Sequence, residues 1–599
     1  MKRIAMLLLC LCLLTGCALQ PPGASRKTQD IPEEQVYEML FDLENKVELK
    51  LDMAPEELEK MQADYDKYDR QGSKSPIYRM ADLTITLTTP SGAVHTWDIP
   101  EVGVRMKGNT SRTDFYDPDR GIYNIIHLKL DFQETFDDED YYGAQAKQYD
   151  NDEQREARKD RTFATLEKLD LRWNRCDDGT YLKEHFAFQT YRRYGVLAPR
   201  TNLAALEWAG IHMGVFTINE PVDKVFLEKN LPEPAQGGDL YKVGWAGSSN
   251  GSFLYADSMG VEDEDKGEFF AYDLKTNKKS STHQALTAFI QAMNAGNVTK
   301  ESFGELVDVD TYLPFTAVSY LLGNPDDMRN NYNNFYVYFR PDTGKAVFIP
   351  YDYDRCLGIT AHWNPTGNGV TRDNPFSNRL LAISENDRTS LQKNPVILYS
   401  VASGGYYVRE YADLLRQIAE GDWFTFETFE ALYQTAEANY AGLAAPEKEF
   451  DNTRNMNLSF SLHRTSDYAS NGNICIREYL ASKLTTLYTY LEDIDYYAEG
   501  TPGLVPFLYI RADFTDWQMD DRYVLTPSEG QHAIRLSLTK TSALKVYDAE
   551  LDRWYGSECV ADNCAVPMET DGHTDIVLPR GEYLLYFDTQ SASICIIKE

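Results

Sequence analysis

The most unusual stretch of the chain is Gly323-Asn324-Pro325-Asp326-Asp327-Met328-Arg329-Asn330-Asn331-Tyr332-Asn333-Asn334-Phe335-Tyr336. A second acidic segment, Ile349-Pro350-Tyr351-Asp352-Tyr353-Asp354, follows the next pair of strand-like runs. Two carboxylates and several amides at a helix-to-strand turn, then two further carboxylates, converge if the residues between them pair as a hairpin. Hard oxygen donors of this kind suit Mg²⁺, which binds through one or two carboxylates plus substrate phosphates. In phosphoryl transfer one Asp accepts the proton of the acceptor hydroxyl, while an Asn and a second Asp hold the metal. The same oxygens also suit Ca²⁺. Asn and Asp build turns without any ligand. The residue types alone leave these readings open.

The elements that must position this cluster are legible. Val309 to Gly323 has a helical period, and Asn334–Phe339 with Ala346–Pro350 forms a hairpin around Asp342-Thr343-Gly344. Upstream, Leu83–Leu87 and His95–Ile99 flank Ser91-Gly92 as a second hairpin. Ile125 to Phe132 reads as a strand, Tyr181 to Tyr194 as a helix, and Leu203 to Glu220 as two strands around Gly210. Val36 to Asp52 alternates in part as a strand does. Ala54-Pro55-Glu56-Glu57-Leu58 opens a helix, with Pro and acids in its first turn. Residues 133–160 are acidic and polar and read as a surface insertion, placed where they could govern substrate access. Gln284–Ala295 is helical, and helices dominate from 395 to 497. Composition changes near Thr501-Pro502-Gly503. Beyond it, short strands separated by turns predict a β-sandwich.

The whole chain constrains where such chemistry would occur. Lys2 and Arg3, an apolar run from Ile4 to Leu14, and Leu14-Thr15-Gly16-Cys17 have the order of a secretory leader, residues 1–16, with a lipid-bearing Cys17. Residues 17–34 read as a flexible tether. The expected location is therefore outside the cytoplasm, anchored to the cell membrane by lipid on Cys17. A net charge of −34 argues against nucleic acid as a partner, so any phosphate site must be a local basic exception. No CxxC or HExxH occurs, which argues against a structural zinc site.

Several further segments occur in a telling order. They are Val104-Arg105-Met106-Lys107-Gly108-Asn109-Thr110-Ser111-Arg112, His127-Leu128-Lys129-Leu130-Asp131-Phe132, and Leu169-Asp170-Leu171-Arg172-Trp173-Asn174 with Tyr181-Leu182-Lys183-Glu184. Gly195-Val196-Leu197-Ala198-Pro199-Arg200, Gly214 to Glu220, and Asp239-Leu240-Tyr241-Lys242 follow, then the two acidic segments. This series, spanning roughly residues 36 to 495, resembles the spore coat protein H (CotH) kinase-like family. Lys107 stands where that family usually has Arg, and Tyr351 where many members have Trp.

The resemblance implies an α+β fold: an atypical protein-kinase-like two-lobed domain, residues 35–498, followed by a small all-β sandwich, residues 505–599. It implies Asp326 as catalytic base and Asp352 as a metal ligand essential to catalysis. Asn334 would be the second ligand, with Asn331 competing at the kinase-like spacing from Asp326, and Asp354 a further metal or structural candidate. Lys129 would contact nucleotide phosphates, oriented by Glu220. Arg105, Lys107, Asn109, Ser111, Arg112 and Lys242 would line the nucleotide pocket. The implied reaction is transfer of phosphate from ATP, with Mg²⁺ or Mn²⁺, to Ser or Thr of a surface protein. The alternative is a non-catalytic surface scaffold or glycan-binding lipoprotein, because bacterial exteriors hold little ATP. The tail, from Leu508-Tyr509-Ile510 through Trp517 and Trp554 to Arg580-Gly581-Glu582-Tyr583, resembles starch-binding-like modules, which makes a glycan its candidate ligand.

Overall fold

The computed structural model describes residues 31–359, 369–377, 394–468, 472–499, 508–528, 531–549, 553–558 and 565–599. The leader, Cys17, tether residues 18–30 and the boundary at Thr501-Pro502-Gly503 lie outside these residues. Helices and strands are mixed, in an α+β arrangement.

The described chain starts with a helix, α1 (Glu33–Leu40), where partial strand character was expected from residue 36 onward. Val36, Tyr37 and Leu40 share one buried face at helical spacing, and Glu33 and Glu34 occupy the first turn, where the helix dipole favours acids. Those two acids were assigned to the tether and belong to this helix. Strand alternation begins at β1 (Lys46–Asp52). Helix α2 (Pro55–Asp69) opens with Pro at its first position, where a missing N–H costs nothing.

Strands β2 (Arg79–Thr88), β3 (Val94–Lys107), β4 (His127–Asp131), β5 (Lys168–Trp173), β6 (Thr201–Trp208) and β7 (Ile211–Asn219) close with β1 into a barrel. The order is β1-β2-β3-β4-β5-β7-β6, and the β1–β6 seam is parallel. Alternation in β2 sends Leu83, Ile85 and Leu87 into the interior with Val104, Leu128 and Leu130. The expected insertion carries helix α3 (Asp152–Lys159) and is docked on the barrel. Phe136 is buried, and Lys147 and Arg158 both pair with Glu101 of β3. Helix α4 (Lys183–Arg193) connects β5 to β6.

A second sheet follows: β8 (Leu240–Val243), β9 (Met259–Gly260), β10 (Tyr272–Leu274), β11 (Phe335–Phe339) and β12 (Ala346–Pro350), in the order β9-β10-β8-β11-β12. Every residue of β11 and β12 is buried, as a hairpin covered on both faces requires. Its apolar cover includes α5 (Gln284–Met293), α6 (Val309–Leu322), α8 (Val408–Ala419), α9 (Phe426–Tyr440) and α10 (Ile476–Leu491), with the short α7 (Met328–Asn331) at the edge of β11. Beyond residue 508, two five-stranded sheets share one apolar cluster that includes Ile510, Leu536, Val546 and Leu585.

Candidate functional site

A cavity of about 810 Å³ is bounded on one side by β3, β4 and β5 of the barrel and on the other by β8, the β11–β12 hairpin and the loops around them. All twelve residues expected at the base, metal and nucleotide positions line it. Thirteen Lys and Arg line it against ten Asp and Glu, the local reversal of charge that a phosphate site in so acidic a chain requires.

The oxygen-rich wall is built by local rules. Gly323, at φ +58°, ends α6 in the left-handed region. Asn324 then accepts from the Asp326 N–H (3.0 Å) and donates to the Asp352 carbonyl (3.0 Å), tying the two acidic segments together. Asp327 caps α7 by accepting from the Asn330 N–H (2.9 Å) and also accepts from Ser319 (2.5 Å). Asp326, one residue away, faces the cavity. Its carboxylate accepts from Asn331 (2.6 Å) and Asn333 (2.9 Å), while Asn334 donates to its carbonyl (2.9 Å). Burial pushes the Asp326 carboxyl above its ordinary range, against the pull of the two Asn side chains. Asn334 (φ +54°) and Asp352 (φ +59°) both sit in the left-handed region, which Asn and Asp tolerate better than most residues. They flank the hairpin whose register pairs Phe335 with Pro350, which is how the two segments converge.

Asp352 and Asp354 share one guanidinium. Arg172 Nη2 pairs with Asp352 and with Asp354 (3.1 Å), while Nη1 holds Glu184 on α4 at 2.6 Å. Burial alone would raise Asp352, yet Arg172 beside it lowers it to about 2. Asp354 is pushed up, by burial and then by Asp352, and it accepts a hydrogen bond from the Cys176 thiol at 3.3 Å. Glu184 rises to about 7 because burial outweighs Arg172.

The cationic wall comes from the barrel. Strand β3 ends at Lys107, and Gly108 turns at φ +116°, where a Cβ would lie 2.0 Å from Ser111 Oγ. Only glycine fits that turn. Lys107 (2.5 Å) and Lys129 (3.5 Å) converge on Asp170 of β5. Burial opposes ionisation of Asp170, but the two ammonium groups hold it well below the ordinary range. Lys242 lies over the Tyr351 ring at 4.3 Å. Arg105 donates to the Ser75 carbonyl (2.9 Å) and Arg112 to that of Ser73 (2.5 Å), so both order the cavity edge. Asn109 is exposed in the same turn, beside the half-buried Ser111.

One expected pairing is corrected. Glu220 does not orient Lys129. Its carboxylate accepts from Tyr37 (2.6 Å) and from the Arg200 N–H (3.0 Å), because β7 has ended and the chain turns toward α1. Asp170 is the partner of Lys129. None of residues 133–160 lines the cavity, and the insertion reaches it through Tyr142, which donates to the carbonyl of the lining residue Tyr78 at 3.0 Å.

Arg172, Glu184 and Asp170 carry the electrostatics of the site and had been given no role. All three lie within the quoted motif segments. The available signal was charge placed among residues that had to be buried in a strand and the helix after it.

For a metal ion, the donor set consists of Asp352, Asp354 and the Asn334 amide. Among the described residues no three His, Cys, Asp or Glu form a ready-made metal cluster. Two carboxylates short of a full cage fit Mg²⁺, which completes its shell with water and phosphate oxygens.

The CotH kinase protein family model matches residues 144–458, just over half of the chain. A search of curated proteins finds no match. The matched span contains Asp326, Asn334, Asp352 and Asp354 together with Asp170 and Arg172 of β5 and Glu184 of α4. Lys107, Lys129 and the glycine turn precede it. The chain belongs to the CotH kinase protein family.

Proposed function

We propose that this protein transfers the γ-phosphate of ATP, with Mg²⁺ or Mn²⁺, to a Ser or Thr hydroxyl of a surface protein. The observation that carries this reading is a cavity in which the oxygen-rich residues and a set of Lys and Arg side chains line the same space. Asp352, Asp354 and Asn334 would hold the ion, which would neutralise charge on the phosphate oxygens. Lys107 and Lys129, spaced by Asp170, would grip those oxygens, with Lys242 beside them. Asp326 would accept the proton of the acceptor hydroxyl. Its raised carboxyl strengthens it as a base, and Asn331 and Asn333 fix its orientation. The two-lobed kinase-like reading of the fold belongs to the same proposal, supported by separate apolar cores on the barrel and the second-sheet side of the cavity.

The setting is part of the proposal. A lipid on Cys17 would tether the domain outside the cytoplasm. No described helix is long and apolar enough to cross a membrane. Incorporation of labelled palmitate, lost in Cys17→Ala, tests the anchor. Incorporation of labelled phosphate from Mg-ATP, lost in Asp352→Ala, tests the activity. A folded protein that binds no nucleotide by calorimetry would overturn it.

A further inference from the structure

Three carboxylates meet around one cation, two of them, Asp352 and Asp354, lining the cavity. Within ion-pair distance the described residues give Glu184, Asp352 and Asp354 a single shared partner, Arg172. Asp352 and Asp354 together outnumber the one guanidinium arm they share, and Glu184 adds to that excess of acid when it is ionised. Two residues along β5 the balance is reversed, with Lys107 and Lys129 sharing the single acid Asp170.

The arms of Arg172 are divided. Nη1 holds Glu184 at 2.6 Å, while Nη2 alone reaches both Asp352 and Asp354. Glu184 has a second hold besides Arg172, because its Oε1 also accepts from the N–H of Tyr353, the residue between the two Asp, at 3.1 Å. The guanidinium can therefore release one arm and keep the other. Bidentate guanidinium geometry makes each arm a directional contact in its own right. Asp352 and Asp354 are about a third exposed at the cavity, whereas Arg172 and Glu184 are nearly covered. The side that lets go is thus the side a solvated ion reaches first.

We propose that Arg172 is the internal counter-ion of the metal site. It holds Asp352 and Asp354 in register while no ion is present, and its Nη2 arm gives them up when a divalent cation enters. It stays on Glu184 throughout and so ties occupancy of the site to helix α4. This inference rests on the metal-site reading above and adds a competitor to it: ion and guanidinium cannot both have the same carboxylate oxygens. It makes Arg172 a positioning residue whose presence weakens binding of the bare ion.

Mn²⁺ binding to the full-length chain without nucleotide, followed by electron paramagnetic resonance, tests this. Removing a unit charge beside the ion is expected to lower the Mn²⁺ Kd of Arg172→Gln about tenfold relative to the parent chain, and Asp352→Asn in that background should abolish the gain. If Arg172→Gln does not fold, Glu184→Gln is compared with the double variant Arg172→Gln/Glu184→Gln, which removes the buried pair together and should again bind Mn²⁺ more tightly. Equal or weaker binding in the folded variant overturns the role of Arg172 and leaves phosphotransfer standing. No Mn²⁺ binding by either chain, with or without ATP, overturns both.

Discussion

Two ionic clusters of this molecule, one on the cavity and one away from it, are built to opposite ends. The first joins Arg172 to Glu184, Asp352 and Asp354, with more acid than base. The second joins Asp373 to Lys483 (2.6 Å) and Arg329 (3.7 Å), with Arg329 also donating to the Asn374 carbonyl and Lys483 lying over the Tyr320 ring. No member of the second cluster lines the cavity. It ties residues 373–374 to α10 and α7, and α7 begins two residues after Asp326. The second cluster, away from the cavity with one acid shared by two bases, holds position. An open one with surplus charge on a cavity is held for something that arrives.

The contrast is broken most strongly from the side away from the cavity. Asp373→Ala removes the carboxylate that buried Arg329 and Lys483 share, and a loss of about 3–5 kcal/mol is expected by chemical denaturation. The open side should respond in the other currency. Asp352→Ala removes a carboxylate already crowded by Asp354, so its unfolding midpoint should stay close to that of the parent chain. Its rate of phosphate incorporation should fall by about 10²–10³-fold, on the scale of losing one transition-state electrostatic contact.

The Asp326–Asp327 pair sharpens the same distinction by pH. Burial, against hydrogen bonds from Ser319 and Asn330, raises Asp327 to about 6. The folded chain then keeps a proton that the unfolded chain has released between the ordinary Asp range and pH 6. Stability therefore falls as pH rises through that window, and is highest below it. Asp327→Asn keeps the helix cap and should remove this share of the slope, worth about 3 kcal/mol. Denaturation midpoints from pH 4 to 7 read it directly. An unchanged slope would show that Asp327 is ionised throughout. The smallest effect is expected at Asp170→Asn, where Lys107 and Lys129 lose their shared spacer. The KM for ATP should rise about tenfold with little change in kcat.

Much of the site was legible in the chain because its parts are local. Gly323 ends a helix, Asn324 and Asp327 make short-range turns and caps, and Gly108 allows a turn that no side chain permits. Each depends on neighbours within a few residues. The β11–β12 hairpin, readable from its apolar runs and Asp342-Thr343-Gly344, brings Asn334 to the end where Asp352 follows. Partners across the barrel were not legible. Lys129 has a neighbouring strand on each side, and nothing in its own segment says which acid it meets. The register of β4 against β5 pairs Lys129 with Asp170, while the turn after β7 carries Glu220 to Tyr37. Residues 36–40 were misread because a short amphipathic helix and a strand both alternate over so few residues, and the docking of Val36, Tyr37 and Leu40 decides between them.

The sequence by itself determined the family, the mixed α+β architecture, the hairpin that joins the two acidic segments and the residue types that line the cavity. These follow from order, spacing and local backbone preference. Only the tertiary structure decided which charges meet. Ion-pair partners are set by strand register and by burial, and both arise from contacts far apart in the chain. That is why Arg172 emerged only in three dimensions as the single counter-ion between α4 and the two candidate metal ligands.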